Sequence, residues 1–89
     1  MRRLHHLAWN DPRGRIARAF AKQCSLTRGL PTRFTIDSIA NRTKLPVDAC
    51  RRAVSPAGIK VMQDIASVAT GYRVRIYKDQ EYVVVRSLR

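Results

Sequence analysis

Residues Thr35–Val54 read TIDSIANRTKLPVDACRRAV, and the folding of this stretch decides the rest of the chain. Thr35 is an N-cap residue type, and Asp37 falls in the first turn after it, where an acid favours the helix dipole. Ile36, Ile39 and Ala40 fall on one helical face. After Thr43 the chain turns through Lys44-Leu45, and Pro46 opens a second helix at its first position, where the missing N–H costs nothing. Cys50, Ala53 and Val54 give that helix an inward face. The pattern predicts two short helices joined by a tight turn, with the small residue Ala40 where the second crosses the first.

Upstream, Asp11-Pro12 starts a longer helix, Asp as N-cap and Pro at N1. Ile16, Ala17, Phe20, Ala21 and Cys24 share its apolar face, while Arg15, Arg18 and Lys22 share the opposite one. Gly29 and Pro31 stop it, and the helix is expected to end near Ser25, because Leu26 rotates onto the basic side. Arg13 and Arg15 sit in the first turn, where the dipole disfavours cations, which hints at an external anion. Residues 1–10 form a flexible basic arm. Thr32 to Thr35 is a short extended link, at most a brief strand.

Downstream, Ser55-Pro56 caps and opens a further helix, Pro56 to Ala69, with Gly71 as its stop. Its apolar rows are Ile59/Met62/Ala66/Ala69 and Val61/Ile65/Val68. Gly58 and the β-branched content keep a strand alternative open. Tyr72 to Lys78 alternates, Tyr72, Val74 and Ile76 on one side and Arg73, Arg75 and Tyr77 on the other. A turn around Asp79-Gln80 returns the chain through Tyr82 to Arg86 as the second strand of a hairpin.

The chain has 89 residues, enough for one domain and one modest core, and 45% of them are hydrophobic, which separates it from a disordered polybasic tail. Its formal charge is +12, from 14 Arg and four Lys against six acids. Arg presents a planar fork of donors that suits phosphates and guanine edges, so the Arg bias favours nucleic acid as partner. The surplus is +7 over residues 1–35, +2 over 36–71 and +3 over 72–89, so it lies on the flanks of the central helices.

Residues Thr35–Val54 resemble the helix-turn-helix family, and with the hairpin the chain is similar to winged helix-turn-helix DNA-binding proteins. Ala40, Leu45, Cys50, Ala53 and Val54 carry the resemblance. It departs at Lys44, where Gly is usual, and at Pro46, which replaces the usual capping hydroxyl. The resemblance implies an α+β fold: a small winged helix-turn-helix of three to four helices with a C-terminal β-hairpin, formed by residues 11–89 as a single domain. It implies double-stranded DNA as partner, with a homodimer expected if the DNA site is palindromic, and a role as a small transcriptional regulator or, next to that, a replication or recombination accessory protein.

On that reading the outward positions of the second helix are Pro46, Val47, Asp48, Arg51, Arg52 and Ser55. Arg51 and Arg52 are the base-reading candidates, because Arg bonds guanine O6 and N7 together. The bland alternative is a solvated face, with Arg52 paired to Asp48 at i,i+4. Arg73, Arg75, Lys78 and Arg86 are the wing candidates for phosphate or minor-groove contact, against the alternative of edge-strand protection. Arg2, Arg3, Arg13, Arg15, Arg18, Lys22 and Lys44 complete the phosphate set; for Arg2 and Arg3 the alternative is a disordered basic terminus. Tyr72, Tyr77 and Tyr82 are assigned to core and cross-strand packing rather than to base stacking.

Nothing else in the chain points to chemistry. The acids are scattered, no Walker loop or dinucleotide fingerprint is present, and His5 and His6 are adjacent rather than at metal-ligand spacing. No enzyme activity, metal, cofactor or small-molecule substrate is therefore expected. Cys24 and Cys50 read as buried reduced thiols, with a bridge between them left open, in a cytoplasmic protein. No apolar run reaches the ~18 residues that span a bilayer, so no membrane is expected. Two other classes remain beside DNA binding: a protein-interaction module docking on an acidic partner enzyme, and an RNA- or ribosome-binding basic protein.

Overall fold

The computed structural model describes residues 10–88. Its elements run α1 (Pro12–Thr27), β1 (Thr32–Phe34), α2 (Ile36–Thr43), α3 (Val47–Ala53), α4 (Pro56–Thr70), β2 (Arg73–Asp79) and β3 (Tyr82–Leu88). The basic arm, with Arg2 and Arg3, lies outside the described residues apart from Asn10.

Each helix starts where its capping residue stands. The Asp11 carboxylate accepts from the Arg13 amide, Thr35 Oγ1 from Ser38 and Ser55 Oγ from Gly58. Pro46 is the exception. It serves as the N-cap of α3 with extended backbone and no side-chain bond, so the helix begins at Val47, one residue later than expected. At the other end, α1 continues to Thr27, past the expected stop at Ser25. Arg28 and Gly29 both take positive φ there, and the Gly29 amide returns to the Cys24 carbonyl, closing the last turn. Leu26 is carried into solvent, 70% exposed.

The turn between α2 and α3 is tight. Lys44 adopts the left-handed conformation (φ 61°, ψ 33°), and the Leu45 amide donates to the Ala40 carbonyl at 3.2 Å. Lys thus fills the position that Gly usually takes, with backbone of the same hand. Ala40, Cys50 and Ala53 are buried where the two helices cross.

Residues 56–70 form a helix, α4, and the strand alternative falls away. Its buried face is narrower than two full rows: Met62 and Ala66 are buried, whereas Val68 is 44% exposed. Gly58 explains how α4 starts so close to α3. A Cβ on Gly58 would stand 1.9 Å from the Ala53 carbonyl oxygen, so any side chain there would push the two helices apart. Along its length α4 packs on α1 and on β2. Ser67 Oγ accepts from the Val74 amide at 2.9 Å, and Gln63 Oε1 from the Ile76 amide at 2.8 Å. These are the amides that a further strand would take.

The sheet order is β1-β3-β2, antiparallel throughout, with Thr32 opposite Val85 and Ile76 opposite Val85 on the other side. Phe34, Val74, Ile76, Val83 and Val85 face the helices and join Ile16, Phe20, Ile39 and Met62 in one core. The Phe20 and Phe34 rings meet at 5.0 Å between centroids. Among the described residues the architecture is α+β, four helices and a three-stranded sheet ending in a hairpin, consistent with a small winged helix-turn-helix, with α4 lying between α3 and the hairpin. Among the described residues no helix is long and apolar enough to cross a membrane.

Candidate nucleic-acid interface

The exposed face of α3 carries Asp48, Arg51 and Arg52. Successive helical residues are about 100° apart, so the two arginines leave the helix in different directions. Arg51 turns toward the hairpin, where it lines one groove with Thr35, Ile36 and Asp37 at the start of α2 and with Lys78 and Glu81. Arg52 turns the other way, into a groove shared with Asp11, Arg13, Ser55 and Gly58 at the starts of α1 and α4. The ion pair on this face also differs from expectation. Asp48 holds Arg51, at 3.0 Å and i,i+3, rather than Arg52 at i,i+4. Both partners are well exposed, so the pair contributes only about 0.2–1 kcal/mol and yields readily to an incoming phosphate or base.

Two members of the expected α3 set have other work. Val47 is half-buried against the core instead of facing out. Ser55 is the N-cap of α4, its hydroxyl oxygen accepting from Gly58 at 3.0 Å.

The first-turn arginines of α1 have internal partners, which removes the hint of an external anion. Arg13 grips Asp11 through two bonds, Nε to Oδ1 at 3.1 Å and Nη2 to Oδ2 at 2.9 Å. Those bonds hold the Asp11 carboxyl below its usual pKa against a smaller opposing effect of burial. Arg15 Nη2 donates to the Thr43 carbonyl at 2.6 Å, so it caps the last turn of α2. Arg18, Lys22 and Lys44 remain on the surface, Lys44 at the tip of the α2–α3 turn.

The pleat divides the wing cations. Even-numbered residues of β2 point to the helix side, where Val74 and Ile76 are buried, and Lys78 continues that row past the edge of the core. Arg73 and Arg75 point to the outer side, and Arg86 lies directly across from Arg75. Lys78 therefore shares a groove with Arg51, while the three arginines face away from it.

Tyrosines assigned to packing are not in the core. Tyr72 and Tyr77 are 45% and 43% exposed, and Tyr82 is half-buried under the Arg33 guanidinium, 5.6 Å from its ring centroid. Arg33 was not among the expected site residues; it projects from the middle of β1 onto the outer sheet face. Arg42 was also missed. It bonds Gln23 Oε1 at 3.1 Å and lies over the Phe34 ring, tying α2 to α1 and the sheet. A three-residue strand gave no periodicity from which the position of Arg33 could be read.

Cys24 and Cys50 are both buried and unbridged. Burial pushes the Cys50 thiol up, partly offset by its bond with Thr43, the opposite of an activated thiolate. Comparison with known proteins finds no protein family, curated protein or solved structure that matches the chain.

Proposed function

We propose that this chain is a DNA-binding protein of the winged helix-turn-helix superfamily that holds double-stranded DNA between α3 and the hairpin, as a small transcriptional regulator rather than an enzyme. The observation that carries this reading is the groove in which exposed Arg51 of α3 meets Lys78 of the hairpin. α3 would enter the major groove with Arg51 toward base edges, and Lys78 would take a phosphate beside it. Asp37 and Glu81 line the same groove, so its local charge is balanced, and the attraction comes from the +12 of the whole chain. Arg52, on the other flank of α3, would reach the opposite wall. The cytoplasm suits the two unbridged thiols.

A selection from random duplexes at near-physiological salt tests the reading, followed by binding titrations on the selected site. Arg51→Ala should relax preference at one or two base pairs, at a cost of about 1–3 kcal/mol against the preferred base. Lys78→Ala should weaken all duplexes alike and lower the salt slope by about one. A palindromic consensus would identify the acting form as a homodimer. Failure to shift any duplex at low salt, or tighter binding to structured RNA, would reject the assignment.

A further inference from the structure

The outer face of the sheet has a composition that the fold does not need. Arg73, Arg75 and Tyr77 of β2 and Tyr82 and Arg86 of β3 point away from the helices, and Arg33 joins them from β1. Arg75 stands directly opposite Arg86, and like charges in cross-strand register destabilise a hairpin. Among the described residues neither has an acid partner. Protection of the β2 edge does not call for them either, because Ser67 and Gln63 already take the Val74 and Ile76 amides. What remains, with Asp79 as the one strand acid on this side, is a largely cationic surface that exposes the Tyr77 ring.

The arrangement of rings and charges narrows the occupant. Arg75, Tyr77, Arg86 and Leu88 line one shallow depression. Tyr77 presents 43% of its surface to solvent beside two guanidinium groups. A duplex would offer this face its phosphates and groove edges but no free base face, since its bases are stacked on one another, so the Tyr77 ring would have no base to stack on. An acidic peptide would satisfy the arginines, but it would meet the ring only through a further apolar side chain set beside its acids. An unpaired strand offers both a phosphate line and free base faces. With Arg75 and Arg86 engaged by phosphates and Asp79 at the far end of β2, no amide or aliphatic hydroxyl of the strands stands on this side to select a ribose 2′-hydroxyl, so a deoxy strand loses no contact there.

We propose that the outer sheet face binds single-stranded DNA, stacking a base on Tyr77 and holding the flanking phosphates on Arg75, Arg86 and Arg73. The surface is separate from the Arg51–Lys78 groove, which lies on the helix side of the sheet, so the proposal stands whether or not that groove holds a duplex.

The test is fluorescence anisotropy of a labelled thymidine oligomer of about 12 nucleotides, within the ~4–16 that such surfaces cover, titrated with the full chain. Tyr77→Ala should weaken binding about 5- to 150-fold, while Tyr77→Phe, which keeps the ring, should bind like the parent. Arg75→Gln with Arg86→Gln should lower the salt slope by about 1.4, two phosphates on a single strand. Any duplex affinity should stay within about twofold in Tyr77→Ala, because no stacked base is reached there. Three results would overturn the proposal: Tyr77→Ala binding the oligomer like the parent, Tyr77→Ala weakening duplex as much as single strand, or a uridine ribo-oligomer binding more than about tenfold tighter than its deoxy counterpart. Circular dichroism on each variant separates loss of a contact from loss of fold.

Discussion

Arg15 in the first turn of α1 and Thr43 at the end of α2 are 28 residues apart in sequence, yet Arg15 Nη2 donates to the Thr43 carbonyl at 2.6 Å. The bond places a cation at the negative end of α2 and fastens α1 to the turn that precedes α3. Arg15→Met, which keeps the stem and loses the donors, should therefore destabilise the fold by about 1–2 kcal/mol, toward the lower end for a charged bond because the site is partly exposed. Thermal denaturation should show a fall of about 4–16 °C. On the proposed DNA reading the salt slope of binding should not move; a slope lower by about one would return Arg15 to the phosphate set.

Gly58 gives a prediction of opposite sign to helix propensity. In an open helix position Gly→Ala gains about 1 kcal/mol. Here the added carbon would stand 1.9 Å from the Ala53 carbonyl oxygen, so Gly58→Ala should cost about 1–3 kcal/mol or more. Chemical denaturation settles the sign.

Lys44 separates backbone from charge at one position. Its φ of 61° is one that a residue with a Cβ holds at a cost, so Lys44→Gly should stabilise the fold by up to about 1 kcal/mol. If the proposed DNA reading is right, the same variant should bind duplex more weakly and with a smaller salt slope. Lys44→Asn, which tolerates the left-handed backbone and lacks the charge, should repeat the binding loss. Paired melting and binding curves on the two variants check both halves.

Asp11 sets an acid limit. Its folded carboxyl is held below the ordinary value, first by the Arg13 side chain. A carboxyl lowered on folding contributes stability that is present above its unfolded pKa, near 3.9, and lost as pH falls through the lower folded value. Asp11→Asn keeps a capping oxygen but not the charge. The melting temperatures of parent and variant should differ by a constant amount above about pH 5, start to approach below about pH 4 and converge only once pH has fallen through the lower folded value.

Local chemistry was legible in the sequence because it is local. Asp11-Pro12, Thr35 and Ser55-Pro56 announce helix starts through bonds that span two or three residues, and Gly71 announces a stop. The alternation of Tyr72–Lys78 gave the hairpin its two faces. Pairing at long range was not legible. β1 has only three residues, and its partner Val83–Val85 lies some fifty residues on, with no pattern linking them. Nor could the sequence tell that Ser67 and Gln63 of α4 would finish the hydrogen bonding of β2.

The candidate site shows the same division. Arg51 and Arg52 were placed on the exposed face of α3 correctly, but their separate directions depend on neighbours contributed by β2 and α1. The parity of Lys78 against Arg75 was present in the strand pattern. It gained meaning only once the helices were known to lie on the Val74/Ile76 side.

β3 is the middle strand of the sheet and the last of these elements in chain order. During synthesis, at about 5–20 residues per second, β1 and β2 have no partner until residues 82–88 have been made. At that rate Phe34 waits about 2–10 s for Val83, whereas the inner row of β2 waits only about 0.5–3 s for its partners, and until then the helices exist beside an incomplete core. Neither flanking strand of the sheet pairs with the other, so no partial sheet can shelter them. The nascent chain is most exposed to aggregation and proteolysis in that interval, and its yield in cells should depend on how quickly those last residues emerge.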